Sequence, residues 1–448
     1  MSSTAPDTLP RSSGATRVLV MSTIAFTLMF AVWLMFGILG VPIQKELKLS
    51  DPQLAWVSAV AVLNGSMWRL PAGMLADRVG GRVVTIAMLL LTAIPCYLVA
   101  HAHSYGMLLL LAFLVGFAGN LFSVGVAWNS AWTPRERQGY ALGVFGAGNV
   151  GASVTKLMLV VFPTILTATA GATYFGFIEG GWRLFPAVYS IALVAVAVLT
   201  FFITPRQDKM AGAGKPVSEM LAPLKQVRVW RFSLYYAAVF GAYVALSAWL
   251  PKYYVDNFDI SLHDAALLTA TFIFPASLLR PLGGWFSDKL GARKVMYLTF
   301  AVMLLTSGIL MMPNGHLVIV HPDGHTSQHL AWNLGLFPFA VLVFLLGCAM
   351  GIGKAAVYKH IPQYFPDNVG SVGGLVGMFG GLGGFALPPL FAYTKQWSGF
   401  PSSTFFVLFL LTAVCAIWMH LTVLSMHREH SPEIADHIER PEPVGATR

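Results

Sequence analysis

Long apolar stretches separated by short polar intervals run from residue 18 to residue 426. This feature decides most of what the chain can become. A bilayer-crossing helix needs about 20 apolar residues, and in lipid each backbone N–H and C=O must be satisfied within the segment. The stretches predict twelve helices, here called spans 1 to 12, at about 18–43, 53–77, 82–101, 104–131, 138–165, 182–204, 231–256, 262–288, 294–313, 332–361, 370–394 and 402–426. Composition agrees: 56% of the 448 residues are hydrophobic and 10% are charged, against roughly 25% charged in a soluble protein. A soluble enzyme, a disordered chain and a repeat scaffold are excluded. The first apolar run is too long for a secretory signal and lacks a cleavage site.

Cys96, Cys348 and Cys415 lie in apolar stretches with no pairing pattern, so neither a disulfide framework nor a cysteine metal site is expected. His316, His321, His325 and His329 fall between spans 9 and 10 and read as a solvated loop. The net charge of +9 is a topology signal rather than a nucleic-acid footprint. Of 28 Lys and Arg residues, 19 lie on the side of the N-terminus and five on the other. That bias places both termini in the cytoplasm. The expected organisation is a tail at 1–16, six spans over 17–204, a cytoplasmic linker at 205–230, six more spans over 231–426 and a tail at 427–448.

The two halves repeat each other. Arg69-Leu-Pro-Ala-Gly-Met-Leu-Ala-Asp-Arg-Val-Gly-Gly-Arg82 aligns without a gap on Arg280-Pro-Leu-Gly-Gly-Trp-Phe-Ser-Asp-Lys-Leu-Gly-Ala-Arg293. Gly143-Val-Phe-Gly-Ala-Gly-Asn149 in span 5 aligns on Gly377-Met-Phe-Gly-Gly-Leu-Gly383 in span 11, and spans 4 and 10 match more loosely. Parallel six-span halves resemble the major facilitator architecture, which places substrate at the bilayer midplane between them. The expected fold is therefore all-α and polytopic, with twelve transmembrane helices in two pseudo-symmetric six-helix halves. Gly73, Asp77, Arg78 and Arg82, repeated as Gly284, Asp288, Lys289 and Arg293, resemble the loop motif of that superfamily. Pairs between these carboxylates and basic residues at the helix ends would hold the halves together in one state and release them in another.

Four charges lie inside spans: Arg69, Lys156, Arg280 and Lys354. Arg69 and Arg280 each precede the motif Asp by eight residues, roughly 12 Å along a helix. An arginine at that depth costs about 2.5–3.5 kcal/mol on insertion scales, and this chain carries two at pseudo-symmetric positions. No Asp or Glu sits at comparable depth. Two guanidinium groups facing one cavity make an anion site, their planar forks suited to planar oxyanions. The glycines of spans 5 and 11, among them Gly146, Gly148, Gly151, Gly377, Gly380, Gly381 and Gly384, allow close helix packing.

Gly146-Ala-Gly-Asn-Val-Gly-Ala-Ser153 and Gly373-Gly-Leu-Val-Gly-Met-Phe-Gly-Gly-Leu-Gly-Gly384 resemble the two nitrate signatures of the nitrate/nitrite porters of the NarK type. Arg69 and Arg280 fall where that family places its substrate arginines. The resemblance implies that Asn149 contacts the anion, that Phe122 sandwiches it, and that Tyr236 and Phe240 belong to the same pocket. It also implies nitrate, with nitrite, as substrate, carried across the bacterial inner membrane by alternating access, with no cofactor or metal. A monomer suffices for this fold. Lys354 aligns opposite Phe122, and Lys156 follows Asn149 by two helical turns. A buried lysine can lose its proton, and the stretch around Lys354 resembles the proton-coupled branch of the family. Nitrate:proton symport is the expectation. Nitrate/nitrite exchange is the alternative, and a carboxylate exchanger of the oxalate/formate type is a second.

Overall fold

The computed structural model describes residues 13–152, 165, 168–174, 176–322 and 325–430. Among them, ten helices are long and apolar enough to cross a membrane. Span 2 adds two helices end to end, Asp51–Met67 and Arg69–Val79. Span 5 is described over Gln138–Gly146 and a 3-10 turn, Ala147–Val150, before it leaves the described residues. Lys156 and the polar tails at 1–12 and 431–448 lie outside them. The only strands among the described residues form two small antiparallel hairpins, Thr173–Tyr174 with Ile178–Glu179 and Gly315–Val320 with Thr326–Trp332. The histidine-bearing stretch is thus a hairpin rather than an irregular loop, with His321 against the Ser327 hydroxyl at 2.9 Å.

Six spans depart from regular α-helix within their length, where periodicity alone predicts straight rods; span 1 does so at Leu34 and Met35, between Ser13–Trp33 and Phe36–Leu47. Span 2 breaks at Trp68 (φ −91°, ψ 5°) and span 8 at Leu279 (φ −80°, ψ −1°). Each arginine therefore begins the second segment of its span, Arg69–Val79 or Arg280–Leu290. Proline explains the break: Pro71 and Pro281 sit in the first turns of these segments and have no N–H to continue the ladder. Span 4 tightens to a 3-10 turn at Phe117–Asn120, and span 5 does so at Ala147–Val150. Span 7 widens to a π turn at Ala237–Gly241. Such irregular backbone at membrane depth survives only where protein or a cavity satisfies it.

The halves meet along two seams. The second segment of span 2 packs on span 11, and span 5 packs on the second segment of span 8. Backbone touches backbone in both. A Cβ on Gly73 or Gly370 would overlap the other's carbonyl, and Gly284 and Gly139 stand in the same relation. These contacts lie on the face where the described chain begins, where Gly14 packs against Trp132 and Pro205.

Candidate functional site

The two arginines converge from opposite halves. Arg69 is fully buried and Arg280 is 1% exposed. Their Cζ atoms lie 5.6 and 5.3 Å from the centroid of the Phe122 ring. Arg69 donates from Nε to the Gly65 carbonyl at 2.9 Å and, across the halves, from an Nη atom to the Gly377 carbonyl at 2.8 Å. Its second Nη atom has no hydrogen-bond partner, nor do Nε and one Nη atom of Arg280. Among the described residues, neither guanidinium has an ion-pair partner. The convergence needs glycine: a Cβ on Gly146 would fall on the Arg280 guanidinium, and one on Gly374 would lie 2.6 Å from the Arg69 carbonyl.

Aromatic rings wall the charges. Phe122 is near-parallel to Tyr236 and Phe240, with centroids 6.1 and 6.4 Å away and interplanar angles of 10° and 5°. Tyr236 stacks on Phe240 at 4.9 Å. The two residues are four apart and so share one face of span 7, where the π turn Ala237–Gly241 lies. Gly380 leaves room for both rings. Lys354 is fully buried with its Nζ 3.3 Å from the Tyr243 ring centroid and 5.9 Å from that of Phe240, and it has no hydrogen-bond partner.

The structure thus brings together Arg69, Arg280, Phe122, Tyr236, Phe240 and Lys354. Asn149 lies one turn beyond Gly146, in the 3-10 turn that packs between spans 1 and 8, buried with both amide atoms unpartnered. The glycines divide. Gly146, Gly377 and Gly380 border the site, whereas Gly148 and Gly151 pack on span 1, Gly381 on Ser66 and Gly384 on Val244. Two residues were invisible to sequence reasoning. Tyr358 donates to the Gly373 carbonyl at 2.9 Å and stands edge-on to Phe122 and Tyr236 at 4.9 and 4.7 Å. Its position one turn after Lys354 was the available signal. Trp33 lies 5.3 Å from the Arg69 Cζ and carries no sequence signal at all.

The loop-motif carboxylates act across the halves, but on backbone. Asp77 accepts from Gly370 N at 2.7 Å, at the start of the helix Val369–Ser398. Asp288 accepts from Gly139 N and Tyr140 N at 3.0 and 2.8 Å, at the start of Gln138–Gly146. Each carboxylate thus serves the orphan N–H groups and positive dipole end of a helix in the other half. Asp288 also pairs with Lys359 at 2.6 Å. The expected pairing with the motif's own basic residues is not what forms. Arg82 donates to Thr204 Oγ1 and the Phe201 carbonyl, Lys289 lies over Trp285, and Arg293 faces Arg231 and His360. Arg78 ends its helix segment on the same face.

Charge-assisted hydrogen bonds of this kind are worth about 1.5–3 kcal/mol each. Asp77→Ala or Asp288→Ala should therefore raise opening at this face by roughly tenfold or more. Maleimide labelling of a cysteine placed by Ser371→Cys, a buried position beside the seam, reads the change. Unaltered labelling would reduce these carboxylates to topology signals.

The Major Facilitator Superfamily model matches residues 21–315 and 251–446. The chain is 62% identical over 424 residues to the probable nitrate/nitrite antiporter NarK1 of Thermus thermophilus, covering 94% of this chain and 95% of that one. It is 31% identical to the nitrite extrusion protein of Bacillus subtilis strain 168, covering 87% and 91%. It is 30% identical to the probable nitrate transporter NarT of Staphylococcus carnosus strain TM300, covering 90% and 95%. Among solved structures, the transporter FucP in its outward conformation matches with a TM-score of 0.67 at 15% identity, covering 90% and 98%. The proton:xylose symporter XylE matches with a TM-score of 0.68 at 12% identity, covering 92% and 96%.

Proposed function

The chain belongs to the major facilitator superfamily and, within it, to the NarK-type nitrate/nitrite porters, and from that premise we propose that it exchanges nitrate for nitrite across the bacterial inner membrane. The observation that carries this reading is the pair of buried guanidiniums, one from each half, that meet at Phe122 without a carboxylate among the described residues. Two buried positive charges need a counter-charge, and a bound monoanion supplies one. Unpaired forked donors suit a planar oxyanion, and the near-parallel rings give it flat walls.

The same charges argue for exchange. The arginines sit in different halves, and Lys354 adds a third cation to the same region. Without an anion these groups repel, so reorientation of the empty carrier is disfavoured and the return step needs a second anion. Nitrate and nitrite carry the same charge. Their exchange does no work against the membrane potential, whereas a lone monoanion moving inward costs about 2.3 kcal/mol per 100 mV. The name of the Thermus relative supports the same reading. The face that holds both seams is then the cytoplasmic one, with both termini there, and one chain suffices as the transport unit.

One observation favours a second reading. Lys354 Nζ has no hydrogen-bond partner, and a lysine so placed can release its proton as the anion leaves, which would couple nitrate to proton entry. Proteoliposomes holding a pH-sensitive dye distinguish the two, with the voltage clamped by valinomycin. Exchange predicts nitrate entry only when nitrite is loaded inside, with no lumen acidification, and Lys354→Gln slowing it. Nitrate-dependent acidification of empty vesicles, lost in Lys354→Gln, would establish symport instead. Flux of oxalate but of neither nitrogen oxyanion would overturn both.

A further inference from the structure

A second cluster of guanidiniums lies away from the transport site, at the cytoplasmic end of the second half. Arg228 and Arg231 stand in the first turns of the helix Val227–Tyr236, and Arg293 is the second residue of the helix Ala292–Leu310. The starts of helices are their positive dipole ends, where acidic residues are favoured and basic ones are not. Arg231 and Arg293 line a small cleft of about 20 Å³ with His360 and Tyr364, closed on the far side by span 12. Arg228 lies over Tyr364 at 4.5 Å, and His360 stacks on Phe232 at 5.1 Å and 8°. Arg231 is 9% exposed and His360 7%. The Arg231 Nε and the His360 Nδ1 are buried without a hydrogen-bond partner. Among the described residues, no carboxylate pairs with any of the three arginines.

The first half provides an internal comparison. Arg82 is the repeat counterpart of Arg293. There a carboxylate is present: Asp208 accepts from Arg82 N at 2.8 Å and from the indole N–H groups of Trp128 and Trp132 at 2.9 and 2.7 Å. In the second half, among the described residues, no carboxylate stands against Arg293; Arg231 lines the same cleft instead. An isolated group of partly desolvated cations is costly, so the missing counter-charge comes from outside the described chain.

We propose that Arg228, Arg231 and Arg293 hold the phosphate of an anionic phospholipid headgroup. The cleft takes about one water, so the phosphate sits across its mouth and the flexible arginines close on it. The depth is right for a headgroup: Trp230, 44% exposed, and Val227, 65% exposed, lie on the same first turns of span 7, as in an interfacial aromatic belt. The cytoplasmic leaflet is the anionic one. The transport pathway is elsewhere, because Tyr235 packs on Phe300 of span 9 while its neighbour Tyr236 faces Phe122.

Native mass spectrometry of the full-length protein, with phosphatidylglycerol, phosphatidylcholine and inorganic phosphate titrated in turn, tests this. Phosphatidylglycerol should be retained at tenfold lower concentration than phosphatidylcholine. The double change Arg231→Gln with Arg293→Gln should erase that preference. Arg228→Gln, at a half-exposed position that folding tolerates, should weaken it several-fold. Equal preference in wild type and both variants overturns the proposal. Displacement of the lipid by millimolar inorganic phosphate, without the preference returning in excess lipid, would keep the phosphate chemistry but overturn the lipid as its source. A chain ending at residue 430 that gains retention several-fold would assign the cluster to the tail carboxylates Glu433, Asp436, Glu439 and Glu442, and so also overturn it.

Discussion

Arg280→Lys will reduce nitrate transport by roughly 100-fold or more while leaving the protein folded. Lysine keeps the charge, so the cost is geometric. Nε and Nη1 of Arg280 have no partner in the protein, which leaves N–H groups on two edges of the planar guanidinium free for anion oxygens. An ammonium is a point donor and cannot hold N–H groups in those fixed, coplanar directions. Two hydrogen bonds to a charged partner, at about 1.5–3 kcal/mol each, give a loss of about 3 kcal/mol or more. Arg69→Lys should behave differently. Arg69 spends Nε on the Gly65 carbonyl and one Nη atom on the Gly377 carbonyl of the other half. Its replacement removes a cross-half contact as well as an anion donor, so closure and binding should fail together. Stopped-flow exchange in proteoliposomes reads transport, and the nitrate-dependent shift in melting temperature reads binding. Transport by Arg280→Lys within threefold of the wild type would remove the planar guanidinium geometry from the mechanism.

How far the sequence carries this geometry is seen residue by residue. Arg69 and Arg280 were legible because a charge in an apolar run violates the local pattern, and because the repeat placed the two at equivalent positions. Asp77 and Asp288 were legible as a motif, but their partners were not. Gly370, Gly139 and Tyr140 bind through backbone amides, and a backbone amide has no side-chain signature. The breaks at Trp68 and Leu279 carry a signal in Pro71 and Pro281, which the apolar length of the spans masks. The π turn at Ala237–Gly241 had none. It follows from the close seating of span 7 on span 11, where a Cβ on Gly241 would lie 2.9 Å from the Gly380 carbonyl. Trp33 looks like any other aromatic in a hydrophobic helix, since only the tertiary fold brings it to a guanidinium, and Tyr358 is marked only by its place one turn after Lys354.

These departures share a purpose. The described portions of spans 2, 4, 5, 7 and 8 each leave regular α-helix near a residue of the site. A straight helix satisfies its own backbone and offers an anion only side chains. The break at Trp68 turns the Gly65 carbonyl toward the Arg69 Nε, and with the Gly377 carbonyl of span 11 it fixes the guanidinium before the anion arrives. Preorganised donors need no reorganisation on binding, which is where much of an electrostatic site's strength lies.

The sharpest test of that preorganisation changes no charge. Gly146→Ala should reduce nitrate transport by about 100-fold with little loss of stability. The new Cβ would fall on the Arg280 guanidinium, with one Nη atom only 2.6 Å away. That guanidinium is the far end of a flexible side chain, so it moves and the backbone does not. A displacement of about 1 Å in a positioned group is enough for a 100-fold loss. Two neighbouring glycines separate this effect from simple crowding. At Gly143 the Cβ would meet the Arg280 carbonyl and the Pro281 Cα, both backbone, so Gly143→Ala should loosen the seam between spans 5 and 8 and lower the melting temperature. At Gly148 it would meet the Phe26 ring at 2.7 Å and the Thr27 hydroxyl at 3.0 Å, inside the first half. Gly148→Ala should therefore cost stability while the remaining folded protein still shifts its melting temperature with nitrate. If Gly146→Ala keeps its nitrate-dependent shift and its exchange rate, the position of the Arg280 fork is not what selects the anion, and charge alone would have to account for the site.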